Sequence, residues 1–253
     1  MDIRTLSIAS LVTGIMIFAP VGALAELGKD TIKTANGELT IHPINHATFV
    51  MTTGDEVVYV DPVGDSGAFA HFDSPDIILI THIHGDHTSA ETMMAVSTDT
   101  TRIVAPPTVA EKLGEGVPGE LAIVANGETF EVGGIRVEAV PAYNLTEERQ
   151  GFHPQGRDNG YVVTIGGKRI YIAGDTEDIP EMRALENIDA AFVCMNLPYT
   201  MTVERAADAV LEFAPRIVYP YHYRGKGGMS DIDRFSEIVA SNPDIEVRLL
   251  SWY

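Results

Sequence analysis

Asp76-Ile77-Ile78-Leu79-Ile80-Thr81-His82-Ile83-His84-Gly85-Asp86-His87 is the stretch on which the reading of this chain turns. Its opening apolar run has the length and character of a strand buried on both faces of a parallel sheet. A strand that ends in a His-x-His-x-Asp-His turn delivers three imidazoles and a carboxylate to one point at its C-terminal end. Those groups suit Zn2+ and similar divalent cations. The chain has 8 His and spends three of them on six consecutive positions. That concentration separates the motif from a polar loop with scattered histidines.

Four further positions repeat the same grammar, a ligand-type side chain beside a strand end. Asp175 in Gly174-Asp175-Thr176 follows a strand at 169–173. It can bridge two cations, or equally cap a turn. His222 follows a strand at 217–219, which lifts it above an isolated structural histidine. Asp61 ends the strand at 56–60 and can receive an imidazole N–H from behind a metal. His46 lies on a loop just before a strand at 48–51.

Alternating patterns elsewhere predict strands at 38–42, 102–105, 121–124, 129–132, 135–140 and 190–194. Residues 161–165 and 169–173 should pair across Gly166-Gly167 as a hairpin. Helices are predicted at 89–97, capped by Thr88 or Ser89, at 107–113, at 202–213 with Thr202 as cap, and at 232–240. A last strand is expected at 246–250, and residues 26–36 read as an irregular lead-in. Strands followed by an inserted helix occur roughly twice, hinting at two similar halves in one domain over 26–253. Two mixed sheets face to face with helices outside is the α/β solution that fits.

The 253 residues carry 45% hydrophobic and 21% charged side chains, an ordinary globular composition. The net charge of −19 repels nucleic acid and anionic membrane surfaces, and no run of Lys or Arg opposes it. At the N-terminus Arg4, an apolar stretch at 6–18 and Ala23-Leu24-Ala25 read as a signal peptide cut after Ala25. A retained anchor is the alternative. Cleavage implies a periplasmic or secreted protein with no membrane association afterwards. Cys194 is the only cysteine, so no intramolecular disulfide can form, and its apolar surroundings mark it as a small buried hydrophobe.

Together, His-Ala-Thr at 46–48, Asp61-Pro62, the motif at 81–87, Gly174-Asp175-Thr176 and Pro220-Tyr221-His222-Tyr223 resemble the metallo-β-lactamase superfamily over nearly the whole mature chain. Within it the details look closest to the branch of metal-dependent hydrolases that includes ascorbate-phosphate lactonase-like proteins. The resemblance implies an αββα four-layer sandwich with a two-metal cleft, most simply two Zn2+, with Mn2+ or Fe2+ as alternatives. Carried over, His82 and His84 would hold the first metal, and Asp86, His87 and His222 the second. Asp175 would bridge both. True β-lactamases generally lack that bridging Asp, which argues against antibiotic hydrolysis.

One ligand departs from the pattern. Where the superfamily usually has a His after the strand at 135–140, this chain has Val140-Pro141-Ala142-Tyr143-Asn144. Tyr143 could serve there, or His153 could fold back to fill the gap. A third outcome is a single-metal site of Asp86, His87 and His222. The expected reaction is metal-assisted hydrolysis of a small ester, lactone or phosphoester, since cations ~3.5–4 Å apart can share a hydroxide. Asp86 or Asp175 would orient that hydroxide and pass on a proton. Tyr143, Tyr221, Tyr223 and His46 are candidates to line the mouth, and Arg157 and Arg224 to hold an anionic substrate. The alternative function is a non-catalytic metal- or ligand-binding protein of the same fold.

Overall fold

The computed structural model describes residues 28–253 apart from 36, 55 and 115. The expected signal peptide and its cut after Ala25 lie outside the described residues. The first half runs β1 (Asp30–Thr34), β2 (Gly37–Asn45), β3 (Thr48–Thr53), β4 (Glu56–Val60), β5 (Ile77–Leu79), α1 (Ala90–Val96), β6 (Arg102–Ala105), α2 (Pro107–Leu113) and β7 (Glu120–Ile123). The second runs β8 (Thr129–Val132), β9 (Ile135–Ala142), β10 (Asp158–Ile165), β11 (Lys168–Ile172), α3 (Pro180–Arg183), β12 (Ala190–Cys194), α4 (Val203–Phe213) and β13 (Ile217–Tyr221). It closes with β14 (Arg224–Gly225), β15 (Gly228–Met229), α5 (Ile232–Val239) and β16 (Glu246–Val247).

Each half builds one seven-stranded sheet, and the two sheets have the same plan. In the first, β1 to β4 form an antiparallel meander, and β4, β5, β6 and β7 are then parallel neighbours. In the second, β8 to β11 are antiparallel, and β11, β12, β13 and β16 are parallel. Parallel neighbours need crossovers, and the helices occupy them. The hint of two similar halves in the sequence is thereby given a physical form.

Successive side chains point to opposite faces of the strands, and burial on both faces explains the continuous apolar runs. In β5, Ile77 and Leu79 face the core between the sheets, while Ile78 and the following Ile80 pack with Met93 of α1 and Val109 and Leu113 of α2. A strand covered on both sides has no polar face to show. Across the central core Phe49 stacks on Phe192 at 4.3 Å, and Trp252 meets both rings edge-on. The layers are helix, sheet, sheet, helix, the expected αββα sandwich. No helix among the described residues is long and apolar enough to cross a membrane.

Two local expectations need correction, and two are borne out. Residues 30–34, read as irregular, form edge strand β1 against β2. Its one buried apolar residue is Ile32, too sparse a signal for periodicity to register. The last strand stops at Val247, and Trp252, five residues on, is buried in the core. Ser89 is the cap of α1, accepting from the Thr92 amide, whereas Thr88 donates its hydroxyl to His82 O. The Gly166-Gly167 turn places both residues at positive φ, +57° and +75°, as a tight hairpin requires.

Candidate metal centre

The polar residues collect at the C-terminal ends of the parallel strands, where open α/β sheets place their ligands. His82, His84, Asp86 and His87 follow β5, Asp175 follows β11, and His222 follows β13. His46 sits in the turn between β2 and β3, and His153 arrives on the long connection from β9 to β10. Three groups of side chains converge, each with its donor atoms within 4.8 Å of one another. They are His82 with His84 and His153, His82 with His87 and Asp175, and His46 with Asp86 and His222.

Asp61 anchors this arrangement from below and is fully buried. Its Oδ1 accepts the Thr81 amide at 2.7 Å, and Oδ2 accepts the Thr81 hydroxyl and His87 Nδ1, each at 2.7 Å. The carboxylate thus holds the proton on His87 Nδ1 and turns Nε2 toward Asp175 and His222. Asp158 does the same for His153, lying 3.2 Å from its Nδ1, and Arg157 braces Asp158 with a two-pronged ion pair. His46 Nε2 lies 3.2 Å from Asp86 Oδ2, and its Nδ1 lies 2.8 Å from the Tyr253 hydroxyl.

Asp175 stands between the groups. Its Oδ2 lies 3.4 Å from His153 Nε2, while Oδ1 lies 3.1 Å from His222 Nε2 and 3.5 Å from His87 Nε2. Burial alone would raise its carboxyl, but the imidazoles of His222, His87 and His153 hold it well below the ordinary carboxylate value. His87 shows the reverse balance. Burial disfavours its charge, yet Asp175 and Asp61 lift it to about 9. Burial and the neighbouring His87 drive His82 well below the usual histidine value. Asp86 is held low by the His46 hydrogen bond and the charges of His87 and His222, against its burial.

The donor set fits divalent cations. His153 Nε2 and Asp175 Oδ1 are buried with no hydrogen-bond partner, an expensive state unless something else engages them. His87 Nε2 and His222 Nε2 stand only 2.9 Å apart, and His82 Nε2 and His84 Nδ1 3.1 Å apart. Imidazoles crowded around a carboxylate are the N and O donors that such ions select.

Other predicted residues fall elsewhere. Tyr143 is not in any of the three groups, because its hydroxyl donates to Glu181 and its ring joins the core. His153, and not Tyr143, lies beside His82 and His84. Tyr221 is fully buried, with its hydroxyl 3.4 Å from Gly174 O, and buried Tyr223 packs edge-on against Tyr253. Neither lines a mouth. Arg157 is committed to Asp158 and Phe152 O, and the Arg224 guanidinium sits 4.5 Å above the Tyr253 ring. Cys194 is buried as expected, its thiol pushed up to about 12 by burial.

A cleft of about 350 Å³ opens over the centre, with His84, Asp86, His153 and Asp175 as its floor and Phe152, Asn196 and Tyr199 as its walls. Sequence reasoning missed those three. Asn196 follows β12, so the strand-end rule would have found it. Its Nδ2 lies 3.2 Å from His222 Nε2. Phe152 and Tyr199 gave no signal. A larger hollow of about 640 Å³ beside α1 is lined by none of the imidazoles.

The profile of the beta-lactamase superfamily domain matches residues 40–222, a span that begins just before His46 and ends on His222. The chain belongs to the beta-lactamase superfamily. Among superfamily relatives, the UPF0173 metal-dependent hydrolase of Thermococcus onnurineus is 33% identical over 211 residues, covering 80% of this chain and 92% of that one. A solved candidate metal-dependent hydrolase from Parabacteroides distasonis is 43% identical, with a TM-score of 0.80 over 88% of this chain and 98% of the other. The metallo hydrolase Igni18 of Ignicoccus hospitalis shares the superfamily fold at TM-score 0.69 and 22% identity, over 84% of this chain and 95% of that one.

Proposed function

We propose that this metal-dependent hydrolase cleaves a small ester, lactone or phosphoester at a pair of divalent cations. His82, His84 and His153 would hold one cation, and Asp86, His87 and His222 the other, with Asp175 shared. The observation that carries this reading is the split of the Asp175 carboxylate. One oxygen faces His153 and the other faces His87 and His222. Zn2+ is the first choice, with Mn2+ or Fe2+ as alternatives of the same donor chemistry.

Bound cations of this kind lower the pKa of water toward ~7 and stabilise developing oxyanion charge. The chain's own residues do the rest. Asp61 and Asp158 fix the rings of His87 and His153. Asp86 is the carboxylate with access, its side chain 49% exposed against 4% for Asp175, so it is placed to take and return a proton at the cleft. Asn196 offers an amide donor beside the reacting group. The alternative, a non-catalytic binding protein, rests on a missing first-metal histidine, and the closeness of His153 to His82 and His84 supports the hydrolase instead.

Metal analysis with an ester, lactone and phosphoester panel tests the proposal. About two equivalents of metal and turnover that falls at least ~10²-fold in Asp175→Asn are expected. Turnover indifferent to His84→Ala would sink it. Export to the periplasm or beyond is also proposed, resting on the sequence of residues 1–25 alone. Fractionation of cells would test it, and retention of the full-length chain in the cytoplasm would refute it.

A further inference from the structure

We infer that the part of the substrate lying outside the reacting group is uncharged and aromatic or broadly apolar, seated against the wall that Phe152 and Tyr199 form together. This rests on the hydrolase reading of the same cleft. The two rings meet edge-on at 5.2 Å and form the apolar wall over His84 and His153. Phe152 keeps 36% of its surface exposed although it is a large apolar ring. Exposed apolar side chains gathered beside convergent polar groups mark a ligand-facing surface.

The wall is built and not incidental. Buried Asn144 donates through Nδ2 to Arg149 O at 2.9 Å and to Tyr199 O at 2.7 Å. It therefore ties the loop bearing Phe152 to the loop bearing Tyr199. Its amide nitrogen also donates to His153 O at 2.8 Å, so the same residue registers the wall against the floor.

Among the described residues, no cation lines this cleft. Those on the surrounding loops are engaged by the chain itself. Arg149 pairs with Glu177, Arg205 with Glu177 and Asp178, Arg157 with Asp158, and Lys112 with Ile83 O. Exposed Lys226 is tied to the segment bearing Tyr199 through its backbone amide, which donates to Leu197 O. The surrounding field is that of a chain with net charge −19. An anionic tail beyond the reacting group would meet apolar rings and a repulsive field. An aromatic tail would find complementary faces.

Paired substrates with one reacting bond and different tails test this. With metal-loaded protein, 2-naphthyl acetate is compared with its 6-sulfonate, and ethyl acetate supplies a substrate without a tail ring. The expected KM for the uncharged naphthyl ester is at least ~10-fold below that of the sulfonate. Phe152→Ala and Tyr199→Ala should raise it ~10-fold more than they raise the KM for ethyl acetate. Lys226→Gln should change neither. A sulfonate bound as tightly as the parent ester, or an anionic preference that depends on Lys226, overturns the inference. If no acetate is hydrolysed, the lactone and phosphoester panel decides the hydrolase reading, and binding of 2-naphthol by fluorescence decides the subsite separately. Saturable binding weakened in Phe152→Ala and Tyr199→Ala upholds it, and no binding refutes it.

Discussion

Asp61 adopts φ +43°, His46 φ +59° and His222 φ +44°, three of the five non-glycine residues described in the left-handed region. Each such residue costs on the order of 1–3 kcal/mol unless its surroundings impose it, and here all three turn a side chain toward one centre. Asp61 offers the cleanest test. Asn also tolerates this backbone conformation, so Asp61→Asn should fold. Its amide would face His87 Nδ1 as a donor and force the ring proton to Nε2, the nitrogen turned toward Asp175. Affinity for the second cation should fall ~10–100-fold with far-UV circular dichroism unchanged, read by chelator competition. Unaltered affinity would remove Asp61 from its assigned role. At this scale the sequence showed what was contiguous. The motif at 81–87 is local and was legible. His153 was ambiguous because a loop's path is decided by tertiary contacts. Tyr143, Tyr221 and Tyr223 misled because a phenol's polar tip can be satisfied inside the protein as well as at a mouth.

The connection from β9 to β10 is the element that carries both His153 and Phe152, and Glu177 pins its start. The buried Glu177 carboxylate accepts the Leu145 and Thr146 amides at 2.8 and 2.7 Å, the Thr146 hydroxyl at 2.6 Å and Arg149 at 2.7 Å. Burial would raise its carboxyl, but these hydrogen bonds and Arg205 hold it below the ordinary glutamate value. A depressed folded-state value means stability that is present above the unfolded value of ~4.3 and lost as pH falls through the folded one. Glu177→Gln should therefore lower Tm most at pH 7, and its deficit against wild type should shrink below about pH 4. A deficit that stays constant with pH would contradict the assignment. Elements with full two-sided burial were readable from apolar runs. Edge strand β1 and the short β14–β15 ribbon were not, since pairing with a neighbour and not composition defines them.

At the scale of the molecule, two sheets of matching topology meet across one aromatic core, and the candidate metal-ligand side chains come from both. His82, His84, Asp86 and His87 belong to the first half, and His153, Asp175 and His222 to the second. The sequence hinted at two halves, because the strand-then-helix order repeats. It could not show how they face each other, since that depends on contacts such as Phe49 with Phe192, 143 residues apart in the chain. Ligands that bind only the native state stabilise it by mass action, about 2.7 kcal/mol at a hundredfold excess over Kd. Stripping the protein with a chelator should lower Tm by roughly 5–10 °C, recovered on adding Zn2+ or Mn2+. An unchanged melt would mean that the centre does not bind metal in the folded protein.

The single cysteine has a consequence here. A chain expected to be exported has no covalent cross-link of its own, yet Asp175 of one sheet and the imidazoles of both stand ready to share cations. Metal supply in the surroundings would then act as a reversible clasp between the two sheets. The loaded protein should resist proteases that nick the stripped one, so its survival time outside the cell would track dissolved metal as well as sequence.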